Sequence, residues 1–257
     1  MTRSSVQALG LHAGPPLSLS AWLRYDVVRR LLPPAPQRLL EIGAGLGSVG
    51  ARLAGRFDYV GLEPDPVSFA TAERRVQPPG RMLNCTAEDL PPTEIFDVVC
   101  AFEVLEHMED DAAALSRWLS RLRPRGWMLV SVPQGRHRYG PQDEWVGHYR
   151  RYDRSDLESL LDNAGLRELT TTSYGFPLGN ALEWARDTIA GRKVASASSD
   201  ERTAGSGRWL QPPDWAGAAT QAATFPFRVA QRPFAGTSLG TGLVTRGRLL
   251  AADAQLR

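Results

Sequence analysis

The side chains best suited to chemistry in this sequence are an E-x-x-E-H run, formed by Glu103, Glu106 and His107, and a later histidine, His148, within DEWVGHYRRY. An imidazole titrates near neutrality and is the usual acceptor of a hydroxyl proton. His148 is the first candidate for such a base and His107 the second. Two carboxylates and two imidazoles also make a donor set for a divalent cation, so Glu103, Glu106, His107 and His148 form a candidate metal site. His12 lies in the N-terminal stretch and His137 in an arginine-rich loop, and neither is assigned a role. Arg150, Arg151 and Arg154 suit a phosphate or carboxylate on an acceptor, or else a solvated cluster at a helix start.

These residues need a scaffold, and the hydrophobic pattern describes one. RLLEI, FDYVGL, RML, IFDVVCAF and GWMLVSV read as short buried strands. Helical patterns fall between them: SLSAWLRYDVVRRLL stopped by Pro33-Pro34, a helix through Val49 and Leu53, one from Pro66 with Asp65 as its cap, and DDAAALSRWLSRL with Leu115, Trp118, Leu119 and Leu122 on one face. DRSDLESLLDNAGL reads as a further helix capped by Asp153 and closed by Gly165. RELTTTSY and TGLVTRGRLL read as later strands. Such alternation builds a parallel, doubly wound α/β sheet, with the ligand crevice at the carboxyl ends of its strands.

The loop after the first strand, within RLLEIGAGLGSVG, lies at that crevice. Its glycines allow a ligand to approach the backbone closely. In the frame where the strand ends, the pattern is Gly43-x-Gly45-x-x-Ser48, which lacks the third glycine of a dinucleotide fingerprint. Glu41 would also repel a pyrophosphate. A ligand with an ammonium and a sulfonium, such as S-adenosylmethionine, suits Glu41 instead. Glu63 ends the second strand, where a carboxylate can accept both hydroxyls of a ribose. NAD-type oxidoreduction is therefore disfavoured.

The bulk numbers restrict the partners. The chain has 257 residues and a formal net charge of +2. Nothing in that charge calls for nucleic acid. No apolar run is long enough to span a membrane, and the 2 cysteines, Cys85 and Cys100, offer no disulfide framework. A cytoplasmic protein acting on a small molecule is expected, its oligomeric state undetermined by the sequence. Residues 191–208 are small and polar and read as mobile. Between residues 176 and 240 regular patterns fade, yet Trp184, Trp209, Trp215, Phe225, Phe227 and Phe234 occur, which reads as a lid whose aromatics line or close an acceptor site.

LLEIGAGLGSVG, YVGLEPD, CTAEDLP, FDVVCAFEVLEH and LRPRGWMLVSVP, in that order, resemble the class I S-adenosylmethionine-dependent methyltransferases over residues 38–175. The resemblance implies a Rossmann-like seven-stranded sheet whose last strand is antiparallel, with the lid inserted before that strand. The implied organisation is an N-terminal helical cap at 1–32, a cofactor-binding core at 33–175, the lid at 176–240, and the last strand and tail at 241–257. Gly43, Gly45 and Gly47 would line the methionine part and Glu63 the ribose, with Ala87 and Glu88 at the adenine. Ala44, Pro64, Glu41 and Glu103 complete the expected cofactor set. Thr86 departs from the family, many members of which carry an acid there. The E-x-x-E-H…H set is similar to the metal ligands of small-RNA terminal 2′-O-methyltransferases and partly to ubiquinone-pathway O-methyltransferases. EVLEH also occurs in relatives for which no metal is implied, so the expected cofactor is S-adenosylmethionine with no required metal. GHYRRY before a helix ending in AGL is similar to methyltransferases of bacterial secondary metabolism and glycoconjugate synthesis. The expected activity is O-methylation of a small or medium metabolite: a natural product, glycoconjugate or quinone-like compound. The alternatives are an RNA or tRNA methyltransferase and a non-catalytic binding subunit of the same fold.

Overall fold

The computed structural model describes residues 14–35, 37–194 and 212–250. His12, Trp209 and the part of the 191–208 stretch beyond residue 194 lie outside the described residues.

The chain opens with helix α1 (Leu19–Leu31), whose Ser18 hydroxyl accepts a hydrogen bond from the Ala21 amide at 3.3 Å. Then come β1 (Arg38–Ile42), the short α2 (Gly50–Leu53), β2 (Asp58–Leu62), α3 (Pro66–Arg75), β3 (Arg81–Leu83) and β4 (Phe96–Phe102). After these the chain forms α4 (Asp111–Leu119), β5 (Leu122–Pro133), α5 (Pro141–Val146), α6 (Arg154–Asn163) and β6 (Leu166–Tyr174). Two further helices, α7 (Leu178–Val194) and α8 (Gly217–Ala230), precede β7 (Gly242–Leu249).

The seven strands form one sheet in the order β3-β2-β1-β4-β5-β7-β6. β1 to β5 pair in parallel, and β7 runs antiparallel to both β5 and β6. The expected Rossmann-like, seven-stranded sheet with its last strand antiparallel is the fold of this chain. Leu40, Val99, Met128 and Val130 are buried on one face against Leu115, Trp118, Leu157 and Leu161. Leu39, Val98 and Leu129 are buried on the other against Trp22, Leu23 and Val27. Burial on both faces explains why these strands read as unbroken apolar runs. The chain leaves β1 towards β2 and β3 on one side and returns as β4 and β5 on the other. The carboxyl ends of β1 and β4 therefore flank the switch-point crevice.

Some local expectations change. The DDAAALSRWLSRL helix stops at Leu119, because Leu122 already pairs with Phe96 as the first residue of β5. Asp153 precedes α6 without capping it: its carboxylate accepts from the Arg136 amide at 3.3 Å instead. Asp65 does cap α3, accepting from the Ser68 amide at 2.9 Å ahead of Pro66 at the first helical position.

The helices between β6 and β7 fold back on the core. The Trp22 indole of α1 donates to Thr220 of α8 at 3.1 Å. The buried Gln231 donates to the Leu23 carbonyl at 3.1 Å and accepts from the Gly175 amide at 2.9 Å. Trp184, Trp215 and Phe225 are 74%, 83% and 61% exposed. None of the described aromatics of this segment lines the large cavity, contrary to the expected aromatic lining. Its contribution to the wall is polar, from Gly179, Glu183 and Arg186. No helix among the described residues is long and apolar enough to cross a membrane.

Candidate functional site

A cavity of about 640 Å³ opens at the carboxyl ends of β1, β2 and β4. Glu41, Gly43, Ala44, Gly45, Glu63, Pro64 and Glu103 of the expected cofactor set line it, as do His107 and His148. Gly47, Ala87, Glu88 and Glu106 do not.

The glycine loop forms one wall. Gly45 has φ +56 and nothing within 4 Å of where a Cβ would stand, so its need for glycine is torsional. Gly47, at φ +73, is different: a Cβ there would come within 2.8 Å of the Ala72 Cα. It lets the loop pack on α3 and is not among the residues that line the cavity. Glu63 ties the loop to the end of β2. Its carboxylate accepts from the Gly45 amide at 2.7 Å and the Asp65 amide at 3.0 Å. Burial raises its pKa against the pull of those amides. Glu41, at the end of β1, is buried and accepts from the Tyr59 hydroxyl at 2.7 Å. Burial pushes Glu41 up to about 7, although the Tyr59 bond and the nearby Arg24 act in the other direction.

Ala87 and Glu88 stand outside the cavity lining. Ala87 is buried in the core, and the half-exposed Glu88 is paired with Arg117 at 2.5 Å.

Glu103 stands between the walls. It has φ +56, a left-handed conformation that costs a non-glycine residue energy and clusters at functional sites. Its carboxylate accepts from Ser131 at 2.8 Å and Tyr174 at 3.2 Å, and Arg24 of α1 lies 3.5 Å away. Burial opposes the Arg24 charge, but Glu103 and Tyr174 outweigh it and raise its pKa. Nothing in the sequence singled out Arg24, Tyr174 or Ser131, which come from three separate elements.

The opposite wall centres on His148. Gly147 closes α5 at φ +78, and the His148 amide donates back to the Asp143 carbonyl at 2.9 Å. The Tyr149 amide donates to the Glu106 carbonyl at 2.8 Å, which brings His148 beside the turn after β4. The His148 Nδ1 lies 2.7 Å from the Asp143 carboxylate. Arg151 donates to both oxygens of that carboxylate, at 2.9 and 2.8 Å, and also pairs with Glu183 of α7. Burial alone would raise Asp143, but His148 and Arg151 hold it below the usual carboxylate range. Asp143 escaped the sequence analysis, although an acid five residues before a histidine, across a turn, was a usable signal.

His107 packs edge-on against His148 with ring centroids 4.7 Å apart. Burial and the neighbouring His148 press its pKa down to about 4. Glu106 is fully buried, and neither of its oxygens has a hydrogen-bond partner among the described residues. Burial and then Glu103 drive its pKa well above the ordinary value. Donor atoms of Glu106, His107 and His148 lie within 4.8 Å of one another. Glu103 is not in that cluster, so the expected four-residue metal set contracts to three. Exposed His137 is remote from the cavity lining.

Arg150, Arg151 and Arg154 are all engaged internally. Arg150 pairs with Asp111 at 2.9 Å, Arg151 with Asp143 and Glu183, and Arg154 with the carbonyls of Thr171 and Ala235.

Residues 20–171 match the family described as a methyltransferase domain. The chain belongs to the class I S-adenosylmethionine-dependent methyltransferases. A ubiquinone biosynthesis O-methyltransferase of Rhodopseudomonas palustris (strain BisA53) is 33% identical over 101 residues, covering 37% of this methyltransferase and 39% of the relative. The matched segment thus spans about two fifths of the length of such curated relatives. Among solved structures, a possible histamine N-methyltransferase from Thermotoga maritima aligns with a TM-score of 0.57 at 20% identity, covering 90% of this chain and 89% of that one. Phosphoethanolamine N-methyltransferase 2 of Haemonchus contortus, solved with phosphomonomethylethanolamine and S-adenosylhomocysteine, gives 0.57 at 17% identity, covering 93% of this methyltransferase and 54% of its own chain. These likenesses concern the fold. The cavity wall suits S-adenosylmethionine on its own terms, since buried Glu41 and half-buried Glu103 face a space where a cation is the favourable occupant.

Proposed function

We propose that this methyltransferase moves the methyl group of S-adenosylmethionine to a hydroxyl oxygen of a small or medium metabolite, with His148 taking the hydroxyl proton. The observation that carries this reading is the His148–Asp143 contact at 2.7 Å on the wall facing the glycine loop. Asp143, kept ionised by His148 and Arg151, accepts a hydrogen bond from Nδ1–H and leaves Nε2 as the basic nitrogen. In the transfer the oxygen–methyl bond forms as the sulfur–methyl bond breaks. The electron pair returns to sulfur, and the proton passes to His148. Sulfonium charge disappears, so the protein's task is alignment and proton removal. Glu63 receives the ribose hydroxyls, Glu41 and Glu103 favour the cationic end, and Arg24 stands where the cofactor's carboxylate needs a counter-charge. The names of the relatives support attack by oxygen, and the two free cysteines agree with a cytoplasmic setting.

A second reading is favoured by the buried Glu106 carboxyl, which has no hydrogen-bond partner among the described residues and whose Oε1 lies 3.8 Å from His148 Nε2. Glu106, His107 and His148 would hold a divalent cation. Two imidazoles and a buried carboxylate fit such an ion, which would polarise the acceptor hydroxyl.

The test is methyl-labelled S-adenosylmethionine with a panel of phenols and matched anilines, with and without a chelator. Label in ethers, untouched by the chelator, supports the first reading. Ether label abolished by the chelator selects the second. Label only in amines overturns both.

A further inference from the structure

Among the described residues, the cavity wall carries one guanidinium with no hydrogen-bond or ion-pair partner. Arg186 of α7 lines it and makes no hydrogen bond or ion pair with any described residue. The other cavity-lining guanidiniums are occupied: Arg24 by Glu103, and Arg151 by Asp143 and Glu183. The obvious mate for Arg186 is Glu183, three residues earlier and so on the same face of α7. Glu183, however, is already held by Arg138 and Arg151. That double pairing fixes the rotation of α7 and turns the Arg186 side of the helix to the cavity. Burial opposes the Arg186 charge, and Tyr174, Glu103 and Glu183 only partly offset it. A half-buried guanidinium whose neighbouring carboxylates are already paired with other arginines is under-compensated, and an anionic ligand lowers that cost.

We infer that the acceptor carries a carboxylate and that Arg186 receives it, which makes Arg186 a specificity-determining residue. The inference rests on the reading that this half of the cavity holds a small hydroxyl compound. A carboxylate fits better than a phosphate dianion, because Glu103 and Glu183 flank the same guanidinium and would repel a second negative charge. It also relocates the anion site expected from the GHYRRY arginines. Those are spent on internal partners, and the available one comes from a helix some thirty residues further along.

The experiment uses the full chain loaded with S-adenosylhomocysteine and follows three probes by ligand-observed NMR: benzoate, its methyl ester and 4-hydroxybenzoate. Benzoate is expected to bind and its ester not to. Arg186→Met should weaken benzoate by about tenfold or more, Arg186→Lys by less, and both should leave S-adenosylmethionine affinity within about twofold. Equal binding of benzoate and ester, or of benzoate to wild type and Arg186→Met, overturns the proposal. So does a large loss of S-adenosylmethionine affinity in Arg186→Met, which would hand Arg186 to the cofactor's own carboxylate. Turnover of 4-hydroxybenzoate separately reports on the hydroxyl reading: benzoate binding without turnover leaves Arg186 in place and removes the O-methyl assignment.

Discussion

The two walls of the cavity are built differently. The glycine-loop wall consists of backbone from consecutive residues, held by one carboxylate, Glu63, through two amides. The facing wall consists of long side chains from α5, the loop that follows it and α7, knitted by ion pairs through Asp143, Arg151 and Glu183. A wall of backbone is set by local torsions and changes little with neighbouring substitutions. A wall of paired charges can be rewritten by exchanging a few side chains. The contrast matches a cofactor that stays the same and an acceptor that varies.

The sharpest way to break this contrast is at His148. His148→Ala is expected to lower turnover by about 10²- to 10⁴-fold while S-adenosylmethionine affinity, measured by calorimetry, stays within about twofold. Loss of cofactor binding would mean the walls are not separate. Gly47→Ala should do the opposite. Forced into a left-handed torsion and against the Ala72 backbone, it should lower stability by about 1–3 kcal/mol in denaturant unfolding and weaken the cofactor with it.

Glu63→Gln keeps the shape but loses the charged carboxylate that accepts from two amides and would accept from the ribose hydroxyls. The expected cost is about tenfold or more in S-adenosylmethionine affinity, with acceptor binding to the loaded enzyme unchanged. A smaller effect is expected at Glu41, pushed up to about 7 by burial, well above a free glutamate at about 4.3. The folded chain keeps a proton there that the unfolded chain loses. That contribution to stability is complete below about pH 4 and is lost as pH rises through about 7. A cationic ligand favours the carboxylate, so S-adenosylmethionine binding should strengthen between about pH 6 and 8 and release a proton. Titration in buffers of different ionisation enthalpy measures this, and Glu41→Gln should flatten it.

The same contrast explains what the sequence disclosed. Glu41, Gly43, Gly45 and Glu63 are legible because their roles follow from position at strand ends within short contiguous motifs. Gly47 was legible as a glycine but not as a packing residue, because Ala72 approaches only once α3 has folded back. Arg24, Tyr174, Glu183 and Arg186 each acquire meaning from partners on other elements, and nothing local announces that. The aromatic residues between β6 and β7 misled for a related reason. Trp184, Trp215 and Phe225 suggest a lining by composition, while α7 turns Glu183 and Arg186 to the cavity and leaves Trp184 exposed.

Gln231 touches three parts of the chain at once: its own segment after α8, the Leu23 carbonyl of α1, and the Gly175 amide at the exit of β6. On the proposed reading, acceptor specificity is therefore not carried by a cassette that can be lifted out. A chimera that exchanged the segment between β6 and β7 would also exchange the strut that seats the first helix, and Arg24 rides on that helix. Melting should accordingly be a single cooperative event, and transplanted acceptor segments should work only when the first helix travels with them.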